Sequence, residues 1–210
     1  MPLSERKKLE QQRRDDGRLP PGQALTLKWP VLHAGEVPGF NSETWDLEVR
    51  GLLESPFKLT WQEFQALPRT KITADFHCVT TWSKFDNQWS GVLFRTIVER
   101  AKPKPEARFV MVHADGGYDS NVPLADLMRD DVVLADWHSP EPLDPEHGAP
   151  LRLIVPHLYA WKSVKWVRGL EFMADDRGGY WENIGYHMYG DPFREERFQD
   201  ENNPPPPTNK

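Results

Sequence analysis

The stretch DFHCVTTWSKF, from Asp75 to Phe85, holds Cys78, the only cysteine in 210 residues. A single thiol excludes an internal disulfide and any multi-thiolate zinc or iron–sulfur site. Three chemistries remain open. Cys78 can be an inert packed thiol, a nucleophile paired with a histidine as in a cysteine hydrolase, or a soft ligand to one metal whose other ligands come from a cofactor. His77 is adjacent, but at the end of a strand it points to the opposite face. A second candidate is HADGGYDS, His113 to Ser120, where an apolar run stops at polar residues and two glycines. A third is DPEHGAPLRLIVPHLYAWKSVKWVRG, Asp144 to Gly169. From Leu151 to Leu170 it carries four cations, Arg152, Lys162, Lys165 and Arg168, and no carboxylate, although the whole chain has a net charge of -6. Arginine suits bidentate phosphate recognition, lysine adds a point charge, and KSVK adds a hydroxyl and backbone N–H groups. This island is either an anion site, such as one for a cofactor phosphate, or a strand with one solvated basic face.

The elements that must position these residues are mostly strands. TWDLEVRG puts Trp45, Leu47 and Val49 on one face, and FKLT follows a turn containing proline. Thr60 with Glu63 three residues later forms a capping box that opens a short helix. KITADFHC reads as a strand delivering Cys78 at its end. SGVLFRTIVERAKPK reads as a helix stopped by Pro103, ARFVMVHADGG as a buried strand, and PLADLMRD as a short helix. DVVLADW, LRLIVP and VKWVRGLEFM read as further strands. There is no regular βαβ pattern and no glycine-rich phosphate loop, so the fold class is α+β with several small mixed sheets and short helices. Twenty prolines favour short elements joined by rigid turns, and nine tryptophans suggest a cleft walled by flat side chains. Residues 1–19 form a charged arm, 20–193 the folded unit, and 194–210 a polar tail ending in a polyproline run.

Net acidity argues against a nucleic-acid partner. The N-terminus has no apolar run and no segment approaches membrane-span length, which points to the cytoplasm. No HxH or HExxH spacing supports a histidine zinc site.

Taken together, HCVTTWSKFDNQWSGV, the run HGAPLRLIVPHLYAWKSVKW and GGYWENIGYHMYGDPF resemble the molybdopterin-binding domain of the sulfite oxidase family, in particular its small stand-alone bacterial members. The resemblance covers roughly residues 20 to 193. It implies molybdenum and molybdopterin as cofactors, with Cys78 as the metal's thiolate ligand. It further implies cofactor contacts from His33, Asp115, His147, Arg152, Ser163, Val164 and Lys165, the last three around the pterin phosphate. The implied activity is two-electron oxygen-atom transfer to or from a small substrate, a sulfite-like anion or an S- or N-oxide, with a separate electron-transfer partner. Where sulfite oxidases carry a tyrosine and an arginine cluster, this chain has Asp136–His138 and Trp82–Lys84. Lys84, Trp82, Tyr118 and His138 are therefore the expected substrate contacts, and sulfite itself is in doubt. The rivals are a cofactor-free cysteine hydrolase and a non-catalytic module that kept the fold.

Overall fold

The computed structural model describes residues 3–202; the proline run of the tail lies outside them. The chain order is α1 (Leu3–Asp15), β1 (Ala24–Leu25), β2 (Asp46–Gly51), β3 (Phe57–Thr60), α2 (Trp61–Gln65), β4 (Thr70–Cys78), β5 (Trp82–Leu93) and α3 (Phe94–Ala101). There follow β6 (Phe109–Ala114), β7 (Asp119–Pro123), α4 (Leu124–Leu127), β8 (Val133–His138), β9 (Glu141–Pro142), β10 (Arg152–Ile154) and β11 (Val167–Met173). The strands form two mixed sheets. One runs β3-β2-β11-β6-β7, with β2 and β11 parallel; the other runs β1-β5-β8-β10, with β4 also on β5 and β9 on β8. This is the α+β architecture that the strand-dominated sequence predicts.

The main core lies between the sheets. Leu47, Val49, Val110, Val112, Leu170 and Phe172 alternate inward from the five-stranded sheet and meet Val92, Leu134, Leu153, Phe94 and Ile97. A smaller cluster of Phe76, Trp89, Val133, Ala135 and Ile154 fills the other face of the six-stranded sheet and reaches Trp29 and Trp82. The capping box at Thr60 and Glu63 is present, with both reciprocal bonds made.

Two elements differ from their sequence reading. The helix expected from Ser90 starts only at Phe94, because β5 continues through Leu93 to pair with β8. Gly91 permits that pairing: a Cβ there would sit 2.0 Å from the Leu134 carbonyl oxygen. The strand expected from Val164 starts at Val167. Residues 163–166 turn back instead, with the Leu153 amide donating to the Val164 carbonyl and Trp166 at φ +54°. That detour places the KSVK segment at the site described next.

Segments at both ends contact this body. α1 has no buried residue, yet the Leu25 amide donates to Glu10 and Arg13 pairs with Asp86 at 2.8 Å. Near the other end, Arg197 donates to the Val79 carbonyl at 2.5 Å and Gln199 pairs with Gly185.

Candidate active site

β4 ends at Cys78 and a tight turn returns the chain into β5, pairing Cys78 with Trp82. Strand alternation turns Phe76 and Cys78 to one face and His77 to the other. On that far face His77 is buried and hydrogen-bonded to the Ser83 hydroxyl at 2.8 Å, and burial depresses its pKa to about 4. The Cys78 Sγ instead meets the Thr80 hydroxyl at 3.1 Å. Burial pushes the Cys78 thiol up, opposed by the Thr80 contact and by the charges of Arg152 and Arg197. No histidine hydrogen-bonds this thiol among the described residues, so the pairing a cysteine hydrolase requires is not made.

Cys78 opens onto a cleft with about 800 Å³ of empty space, counted to its solvent-facing mouth. The opposite wall is the 144–166 segment. Asp144 caps a short turn by accepting from the His147 amide at 2.8 Å, and its carboxylate also holds the His147 ring at 2.7 Å. Three side chains donate to carbonyls of this turn: Arg152 to His147, Lys165 to Glu146 and the Trp166 indole to Pro145. Gly148, at φ +121°, lets them close in; a Cβ there would meet the Cβ atoms of Lys165 and Arg152 at 3.1 and 3.2 Å. The Ser163 hydroxyl accepts from the Val155 amide at 2.9 Å and fixes the next bend.

The structure sorts the expected site residues. Cys78, Trp82, Tyr118, His33, His147, Arg152, Ser163, Val164 and Lys165 all line the cleft. Asp115, Lys84 and His138 do not. Asp115 turns away to pair with Arg168, which also binds Asp46. Lys84 and His138 both bond to Asn87 and pack against Trp29, which itself lines the cleft. His138 lies 4.4 Å from the Trp29 ring and 4.5 Å from Trp89, and burial lowers its pKa to about 4. Trp29 also stacks on His147, with ring centroids 3.8 Å apart. Sequence reasoning missed Trp29, Trp161, Trp166, Trp181 and Tyr186 as wall residues. The tryptophan count and the aromatic residues in the runs HGAPLRLIVPHLYAWKSVKW and GGYWENIGYHMYGDPF are the available signals, and neither singles out wall positions.

The four-cation island also divides. Lys162 is fully buried against Glu182, and Arg168 serves Asp46 and Asp115. Only Arg152 and Lys165 face the cleft, and no carboxylate lines it among the described residues. Arg152 is 4% exposed, its Nε has no partner, and its burial lowers the guanidinium to about pKa 10. Burial and the nearby Arg152 charge bring Lys165 to about 7. The Trp82 indole N–H is likewise buried without a partner. Two desolvated cations, unmet donors, flat aromatic walls and a soft thiol together fit an anionic, planar, metal-bearing cofactor.

Comparison with known proteins gives the same class. Residues 34–181 match the family described as the oxidoreductase molybdopterin binding domain, and the chain belongs to that family. It is a molybdopterin-dependent oxidoreductase. The chain is 48% identical over 183 residues to the oxidoreductase YuiH of Bacillus subtilis, covering 87% of this chain and 92% of that one. It is 29% identical over 168 residues to the protein-methionine-sulfoxide reductase catalytic subunit MsrP of Campylobacter jejuni, covering 72% of this chain and 56% of MsrP. Among solved structures, the sulfane dehydrogenase SoxCD of Paracoccus pantotrophus aligns with a TM-score of 0.62 at 26% identity, over 68% of this chain and 41% of that chain. No helix among the described residues is long and apolar enough to cross a membrane.

Proposed function

We propose that this chain performs two-electron oxygen-atom transfer on a small, uncharged S- or N-oxide or its reduced counterpart, with electrons exchanged through a separate protein. When bound, molybdenum–molybdopterin supplies the two-electron couple and the site of oxygen exchange. The chain's own residues hold and screen it. Cys78 is the single protein ligand to the metal, which its soft thiolate suits. Arg152 and Lys165 hold the anionic cofactor, with His147, Ser163 and Val164 shaping the turn that receives it. Trp82, Tyr118, Trp161, Trp181 and Tyr186 exclude water beside the thiol, and the unmet Trp82 N–H is the donor available to an oxide oxygen.

The observation that carries this reading is the charge distribution of the cleft. Both of its lysine and arginine cations sit on the 147–165 wall, where Arg152 binds the His147 carbonyl and Lys165 that of Glu146. Lys84, the cation expected at the substrate, does not line the cleft; it bonds to Asn87 and packs against Trp29. Little positive charge is left for a second anion, which favours a neutral oxide over sulfite. The relative named as a methionine-sulfoxide reductase is consistent with that preference.

The test is metal analysis of the protein from a host that makes molybdopterin, beside Cys78→Ala. Near-stoichiometric molybdenum, lost on substitution, is the expected result. A wild-type protein without molybdenum refutes the reading. Faster turnover of sulfite than of sulfoxides or N-oxides refutes the substrate class alone.

A further inference from the structure

Two carbonyl groups in the cysteine turn are bonded by side chains from opposite ends of the chain. The Cys78 carbonyl accepts the Gln23 Nε2 at 3.1 Å, as well as the Thr81 amide at 3.1 Å. The Val79 carbonyl accepts the Arg197 Nη1 at 2.5 Å. Val79 lies in the turn beyond the β4–β5 ladder and Cys78 is the last ladder pair, so their carbonyls take donors from outside β5's strand pairing, as buried carbonyls must. Thr81 stands at φ +69°, a left-handed conformation that a threonine holds only when its surroundings enforce it. The Ala24 amide donates to the Thr81 carbonyl at 2.9 Å and supplies part of that enforcement.

Neither donor is a loose side chain. Gln23 is 3% exposed and accepts from the Ser83 hydroxyl at 3.3 Å, while the next two residues pair with β5 as β1. Arg197 stacks over Tyr159, and its own carbonyl accepts the His187 amide at 3.1 Å. Its neighbours Phe198 and Gln199 pair with Tyr186 and Gly185. The two segments also meet: a Cβ on Gly22 would lie 2.8 Å from Glu195 Oε1 and 3.2 Å from Arg197 Nη2.

The direction of a cysteine Sγ is set by its χ1 rotamer about the Cα–Cβ bond, and that bond by the peptide planes on either side. β4 fixes the plane before Cys78; Gln23 together with the Thr81 amide holds the one after it, and Arg197 the one after that. We infer that Gln23 and Arg197 are positioning residues that jointly set the orientation of the Cys78 thiolate, so that both terminal segments are working parts of the metal site. This rests on Cys78 being the metal's ligand. Outer partners of metal ligands act in this way, and here they act through the backbone rather than through the ligating side chain.

The test compares Gln23→Met, Arg197→Met and Arg197→Lys with Arg194→Met, Arg194 being an exposed arginine whose ion pair among the described residues is with Glu196. In cofactor-loaded protein, Gln23→Met and Arg197→Met should shift the thiolate–molybdenum absorption. Both should also release molybdenum roughly tenfold faster on dialysis. Arg197→Lys should recover part of each change, and Arg194→Met should change neither. Wild-type spectra and retention in both Met variants overturn the inference, as does an equal shift in Arg194→Met. A second readout needs no metal. Cys78 is the only thiol, so its alkylation by iodoacetamide in cofactor-free protein at fixed pH reports the turn directly. The neutral Gln23→Met substitution should speed it severalfold, and an unchanged rate overturns the inference even if the protein proves to hold no molybdenum.

Discussion

Arg152 and Lys162 stand ten positions apart in one basic run, both buried, and their surroundings are opposite. Lys162 has its charge met inside the chain: Glu182 lies 2.6 Å away, and the Asn121 carbonyl and amide oxygens and the Met188 carbonyl complete its sphere. Glu182 in turn accepts from Ser120, the Trp161 indole and the Gly179 amide. Arg152 pairs with no carboxylate among the described residues. It rests over the faces of Phe76 and Trp29, donates to one carbonyl and leaves Nε unmet. A buried charge compensated within the fold serves the fold. One left uncompensated at the wall of a cleft is arranged for an anion that arrives from outside.

The largest effect should come from breaking the closed pair. Lys162→Met leaves the Glu182 charge buried without its partner and should destabilise the protein by about 3–5 kcal/mol in a denaturant melt. The double variant Lys162→Met/Glu182→Leu should recover much of that loss. Failure to recover would show that Glu182 matters mainly for holding Trp161, a wall of the cleft.

Arg152→Met should behave in the reverse way. Removing an uncompensated buried charge should leave cofactor-free stability equal or higher. Cofactor retention should fall by about 10- to 100-fold, the scale of one lost charged hydrogen bond. Marked destabilisation of the cofactor-free protein would make Arg152 a second Lys162 and erase the distinction.

The pH dependence of Lys165 is smaller and has a definite sign. Its folded-state pKa of about 7 lies below that of an unfolded lysine, so between these values the unfolded chain binds more protons. Cofactor-free protein should therefore gain stability as pH rises from about 7 towards 10, and Lys165→Met should remove that share. Binding of an anion beside Lys165 should weaken over the same range. His77 and His138, both near 4, act on the acid side by the same rule. Their share of stability is complete above about 6.5 and is lost as pH falls towards 4.

The smallest effect belongs to Lys84. Because Lys84 does not line the cleft, Lys84→Met should leave molybdenum content unchanged and lower activity far less than Arg152→Met. Trp29→Ala should remove a ring packed on His138, lessen its desolvation and raise its pKa from about 4, measurable by NMR titration.

The sequence by itself determined the class of the fold, the delivery of Cys78 at a strand end and the assembly of His147, Arg152 and Lys165 in one continuous segment. These are local properties: alternation, capping and a turn need only near neighbours. It gave no means of telling which of four cations faces the cleft, because charge compensation depends on Glu182, Asp46 and Asp115, all remote in the chain. Lys84 and His138 looked available for the same reason, since their packing against Trp29 arises only when the chain has folded. Tertiary structure alone decided these points, together with the roles of Gln23 and Arg197. A backbone carbonyl in a turn carries no sequence signal for its partner, and here the donors come from opposite ends of the chain.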